Sequence, residues 1–220
     1  MKFVGIRNCR AKHEMLRADD CKIREFPTAD LTYDCIRHLD FLRRLAEGME
    51  QGEYPGTLYW KYIRMVGGGR EKALRKSREL ADLFRFVRDE ELEPADSYAA
   101  VTDDGVRLDG SHRTSVALVL GIESLPVRVY HWGERFPEKK LDPIREETRI
   151  KRDAQEAYLG KAVVGREDGE LVGTVAFVDA RPVPQPWWRF LAPIRLRPFV
   201  IVEQRGGTLA ELPVDDVDFR

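Results

Sequence analysis

Asp109-Gly110-Ser111-His112-Arg113 is the stretch of this chain in which residue types and order together describe a site. It runs into an apolar segment, Thr114 to Leu120, that ends at Gly121, a natural left-handed helix stop. A turn entering a helix leaves the first N–H groups without intrahelical partners, at the positive end of the helix dipole. Such an end binds anions. Gly110 lets a ligand approach the backbone, Ser111 offers a hydroxyl, and His112 and Arg113 offer donors to phosphate oxygens. Asp109 is suited to hold a metal ion, orient a donor or act as a base. The competing reading is a capped turn, in which Asp109 and Ser111 tie up backbone donors while His112 and Arg113 are merely exposed.

The elements that must position these residues can be read outward from them. Val106 to Leu108 ends a short strand, and Ile122 to Tyr130 alternates as a second one, with Leu125, Val127 and Val129 on one side. Upstream, Tyr98 to Val101 reads as a strand and Asp103-Asp104-Gly105 as a hairpin turn. Lys22 to Phe26 is another short strand. Asp30, Thr32 or Asp34 then caps a helix whose stripe is Cys35, Leu39, Leu42, Leu45, Ala46 and Met49. His38 beside that stripe reads as a structural histidine. Gly52 to Trp60 is turn-rich and aromatic, a pattern that suits core filling before base stacking. After Gly67-Gly68-Gly69, read as a hinge or loop, Arg70 to Val87 is the strongest helical pattern in the chain. Its Lys72, Arg75, Lys76 and Arg78 are read either as a solvated face paired with Glu71, Glu79 and Asp82 or as a second basic wall facing an anion.

Beyond Tyr130, Ile144 to Tyr158 reads as a polar connecting helix. From Gly160 the texture turns to β, with strands at Lys161–Gly165, Leu171–Val178, Phe199–Gln204 and Thr208–Leu212. A proline-rich loop carrying Trp187 and Trp188 interrupts them. The expected class is α+β, a small mixed sheet with helices over 1–143, a connecting helix at 144–159, and a small β-barrel-like domain at 160–220.

Composition sets the outer limits. In 220 residues, 37 basic and 38 acidic side chains leave a net charge of −1, so no global field recruits nucleic acid or an anionic membrane. With 34% charged and 43% hydrophobic residues the chain is expected to fold. No apolar run reaches bilayer length and the first residues are too polar for a secretory signal, so the cytoplasm is the expected location. Cys9, Cys21 and Cys35 lack the spacing of a zinc or redox pair.

The DGSHR turn, its alanine-containing helix and the following LGIESLPVRVY strand resemble the ParB/sulfiredoxin superfamily over roughly Lys22 to Trp132. That resemblance implies binding of the phosphates of ATP, ADP or CTP, with magnesium, at this helix start. Gly110 and Arg113 then match the glycine and arginine of the phosphate motif, His112 its histidine, and Asp109 the acidic residue of the free-serine-kinase version. Glu25 is the nearest candidate for the N-terminal glutamate those kinases use as base. Ser111 stands where sulfiredoxins carry their reactive cysteine, which removes the thiol chemistry. A β module replaces the helix-turn-helix of partition ParB proteins. That module is similar to PRC-barrel docking domains. The expectations are therefore a nucleotide-dependent phosphotransferase on a small hydroxyl compound or an NTPase, or a nucleotide-sensing module docking a protein partner through its β domain. A nucleic-acid-binding protein or nuclease is the third reading, with the balanced charge against it.

Overall fold

The computed structural model describes residues 21–89, 99–130, 142–166, 170–182 and 196–220. Cys9, Tyr98 and the Trp187–Trp188 loop lie outside them. The chain is a mixed α+β protein with two sheets of four and five strands.

The first sheet contains β1 (Cys21–Pro27), β2 (Ala99–Thr102), β3 (Arg107–Asp109) and β4 (Ser124–Tyr130). Its order is β1-β4-β2-β3; β2 and β4 run parallel and the other pairs antiparallel. Five α-helices are described: α1 (Ile36–Ala46), α2 (Leu58–Met65), α3 (Arg70–Asp89), α4 (Ser111–Val119) and α5 (Asp142–Tyr158). The hairpin read at Asp103-Asp104-Gly105 joins β2 to β3, with Gly105 at φ 78°.

Strand β2 reads Ala-Ala-Val-Thr and is buried at every position. Its period of two divides it between two cores. Ala99 and Val101 pack with Leu125, Val127, Val129 and Ala117 of α4, whereas Ala100 packs with Val106, Leu108, Tyr130 and Ile144 of α5. One helix therefore covers each face. A third core lies among α1 to α4, where Phe41, Tyr54, Tyr59, Trp60, Leu80 and Phe84 meet. The aromatic segment thus fills a core as expected. Part of it is helical, because Thr57 caps α2 by accepting from the Trp60 N–H.

Two local expectations are corrected. None of Asp30, Thr32 and Asp34 caps α1; Cys35 holds the N-cap position without a side-chain bond, and Asp34 turns to Arg107 instead. Met49 and Leu39 are only half-buried, while Phe41 and His38 join Leu42 and Leu45 on the buried face of α1.

The second sheet is antiparallel, with β5 (Ala162–Gly165), β6 (Leu171–Pro182), β7 (Leu196–Gln204), β8 (Leu209–Pro213) and β9 (Val217–Phe219) in the order β8-β7-β6-β5-β9. Its two edge strands are joined by only Val214–Asp216. A flat sheet of this width would separate its edges by about 19 Å, at ~4.8 Å per strand. The four Cα steps from Pro213 to Val217 span at most about 15 Å. The sheet must curl, as its core of Val163, Val175, Val178, Val200, Val202 and Val217 requires. Strand β9 has three residues, too few to show a pattern in sequence.

Helix α5 belongs to both halves. Its Ile144 lies in the core shared with Leu108 and Tyr130, and its Ala154 lies in the core of the second sheet. No helix among the described residues is long and apolar enough to cross a membrane.

Candidate functional site

The helix start at Gly110 is built for close approach. Gly110 is the N-cap of α4 at φ 96°, and a Cβ there would lie 2.7 Å from the Ala99 Cβ and 2.8 Å from its Cα. Only glycine meets both conditions. The same residue that gives the turn its hand lets β2 pack beneath the helix. No side chain caps α4. The Asp109 Oδ1 accepts from the Gly110 N–H at 2.7 Å, one residue short of the helix.

A cavity of about 170 Å³ opens beside this end, at the β3 edge of the first sheet. Asp109 and Ser111 line it from the turn, Tyr33, Asp34 and Arg37 from the start of α1, Arg107 from β3, and Glu147, Thr148 and Lys151 from α5. Ile144, Thr148 and Lys151 recur at helical spacing, so α5 turns one stripe both to the core and to this cavity.

Arg107 is the anchor. It is 7% exposed, donates to the Leu31 carbonyl and to Asp34, and lies 3.2 Å from the Cys35 sulfur. Burial opposes ionisation of Asp34, but the charges of Arg107, Lys151 and Arg37 outweigh it and hold the carboxyl well below its usual range. Lys151 bridges Glu147 at 2.8 Å and Asp179 of β6 at 3.3 Å; against the effect of burial, these carboxylates push its ammonium up. Burial likewise raises the Cys35 thiol, leaving it a poor nucleophile. Arg37 has a different support, with its guanidinium over the rings of Tyr62 at 4.5 Å and Phe177 at 5.7 Å.

His112 goes the other way. Its Nε2 lies 3.2 Å from the Tyr59 hydroxyl, and its ring meets that of His38 edge-on at 4.9 Å. Burial, followed by Lys76 and Arg37, lowers its pKa; burial and Arg37 lower that of His38 further. His38 is 3% exposed and its Nδ1 has no partner. Burial also pushes the Tyr59 phenol up to about 12. The histidines are therefore neutral at pH 7, packed in the helical core rather than turned into the cavity.

The other sequence candidates are dispersed. Arg113 is half-buried, has interactions within the fold, and is not among the residues lining the cavity. Glu25 is exposed on β1 and accepts from the Ser124 hydroxyl at 3.1 Å, away from the cavity lining. Lys72, Arg75 and Arg78 are exposed on α3, and Arg75 and Lys76 both pair with Glu79. Lys76 alone of these influences a member of the turn, through His112. Among the described residues, no group of three or more metal-ligating side chains is placed to hold an ion.

Arg37, Arg107, Lys151, Tyr33 and Asp34 had no place in the sequence reading of the site. One signal was available. Arg107 interrupts the apolar pair Val106 and Leu108 in a short strand, and Lys151 falls on the buried stripe of α5, positions where a charge needs a partner. Comparison with protein-family models, curated proteins and solved structures finds nothing that matches this chain.

Proposed function

We propose that this is a nucleotide-phosphate-binding protein of ParB/sulfiredoxin type, which takes the phosphate end of ATP, ADP or CTP at the start of α4. The observation that carries the reading is the convergence of Arg37, Ser111 and the uncapped helix end on one polar cavity. Three cations and three carboxylates line it: Arg37, Arg107 and Lys151 against Asp34, Asp109 and Glu147. The cavity is thus not a general trap for negative charge. Selection falls to directed donors, and Arg37 is the cation held by rings rather than by a carboxylate. Asp109 is an exposed oxygen donor suited to a magnesium ion arriving on the phosphates.

Size supports the phosphate end alone. About 170 Å³ is close to the ~150 Å³ of a cavity that takes a benzene-sized ligand, which suits two phosphates and not a whole nucleotide. The remainder has a neighbouring open groove lined by Phe26, Asp103, Asp104 and Arg152, which shares Tyr33 with the cavity.

Binding without turnover is the second reading, favoured by the state of the acids and bases. Asp34 is tied to Arg107, Glu147 is paired with Lys151 and His112 is turned away, so of the carboxylates lining the cavity Asp109 is the one placed for proton transfer. Equilibrium titration of the folded chain with ATP, ADP, CTP and pyrophosphate, each with and without magnesium, tests the first reading. Absence of binding to all four would refute it. Phosphate release and product mass above background, lost in Asp109→Asn, would convert the second reading into a phosphotransferase or NTPase.

A further inference from the structure

Two cations of the cavity, Arg37 from α1 and Lys151 from α5, come from different helices and rest on the same strand of the second sheet. Phe177 and Asp179 of β6 are two residues apart and so share a face. The Phe177 ring lies under the Arg37 guanidinium and meets the Tyr62 ring edge-on at 5.4 Å. Asp179 takes the Lys151 ammonium at 3.3 Å and the Tyr62 hydroxyl at 3.5 Å. A three-residue stretch of one strand therefore reaches both cations and the Tyr62 side chain.

A register break explains why these residues face this way. Val175 and Val178 both lie in the core of the second sheet, although an unbroken strand would put them on opposite faces. The pairing of β6 with β7 shifts between Val175 and Phe177, a β-bulge at Ala176. Past the bulge, even-numbered residues turn inward and odd-numbered ones outward. Without it, Phe177 and Asp179 would point into the valine core.

We infer that the bulged segment of β6 is the second half of the anion site, with Asp179 and Phe177 as positioning residues for Lys151 and Arg37. This rests on the reading of the cavity as a phosphate site, but it assigns the β module a role of its own: it sets the cations rather than only docking a partner. Neither residue lines the cavity, and each acts through the side chain it holds.

The test uses the full chain with pyrophosphate as probe, read by calorimetry, and acetylation of Lys151, read by mass spectrometry without ligand. Asp179→Asn is expected to weaken pyrophosphate about tenfold and to speed Lys151 acetylation several-fold, as loss of one charge partner frees the other. Exposed Lys72 serves as the internal standard. Asp179→Glu is expected to restore both, and Phe177→Leu to weaken pyrophosphate through Arg37 with Lys151 acetylation unchanged. The inference is overturned if Asp179→Asn folds and leaves the Lys151 rate unchanged, or if pyrophosphate binds it as tightly as wild type. Should Asp179→Asn not fold, undiminished binding by Phe177→Leu overturns it equally. If wild type binds no pyrophosphate while Lys151 still responds, the phosphate reading fails and Asp179 keeps only its hold on Lys151.

Discussion

Ser111 and His112 are neighbours in the first turn of α4, and the fold sends them into opposite environments. On the Ser111 side lies a cavity whose charges are ionised and matched, with Asp34 held as a carboxylate by Arg107 and Lys151 held as an ammonium by Glu147 and Asp179. On the His112 side lies a packed layer of His38, Tyr59 and Phe41, whose titratable groups are held neutral by burial. The polar residues of one motif therefore need not share a task. One helix start can present donors outward and stitch itself to the core with the next residue along.

The sharpest way to break this contrast is to remove the anchor on the charged side. Arg107→Met leaves the half-buried Asp34 with only Lys151 and Arg37 as counter-charges and is expected to cost about 3 kcal/mol in urea unfolding. Restoring near-wild-type stability with Asp34→Leu in the same chain would show that the loss is the orphaned charge and not the lost packing.

Acid separates the two sides next. His38 and His112 have folded pKa values below the ordinary 6.5, so below that pH the unfolded chain takes up protons that the folded one refuses. Stability is expected to fall by about 1.4 kcal/mol per pH unit for each histidine as pH drops from 6.5 towards the folded values. The Asp34 pair responds later. Its contribution is complete above the unfolded carboxylate value of about 4 and is lost only as pH falls through the depressed folded one. His112→Phe should therefore reduce the slope just below pH 6.5 to the share of His38 and leave the loss that belongs to Asp34 unchanged.

Two smaller effects sharpen the assignment of binding. Arg37→Ala is expected to weaken pyrophosphate about tenfold, with under ~1 kcal/mol of stability from the lost ring contacts. Ser111→Ala, which removes one neutral donor, is expected to weaken it about fivefold. His112→Phe should hold affinity within about twofold; a larger loss would place the imidazole in the phosphate site and end the contrast.

Much of the frame was legible because it rests on local pattern. The alternation of Leu125, Val127 and Val129, the helical recurrence through Ala73, Leu80 and Phe84, and the glycines at 105, 110 and 121 each report their surroundings through near neighbours. The helix start was therefore found. Its lining was not, since Arg37, Arg107 and Lys151 come from three segments and meet only because α1 and α5 approach the same sheet edge. The direction of His112 was equally hidden. A helix places successive residues about 100° apart, and which of them meets the core depends on Tyr59 and His38, far away in the chain. The bulge at Ala176 leaves no mark in the apolar run from Val175 to Val178 either.

Helix α5, with Ile144 in one core and Ala154 in the other, has a consequence for how the molecule comes apart. Neither sheet can lose its cover without fraying the helix that covers its partner, so the two halves should open together. Amide protons of β2 and of β7 are then expected to exchange with one common free energy of opening, where independently folded halves would give two.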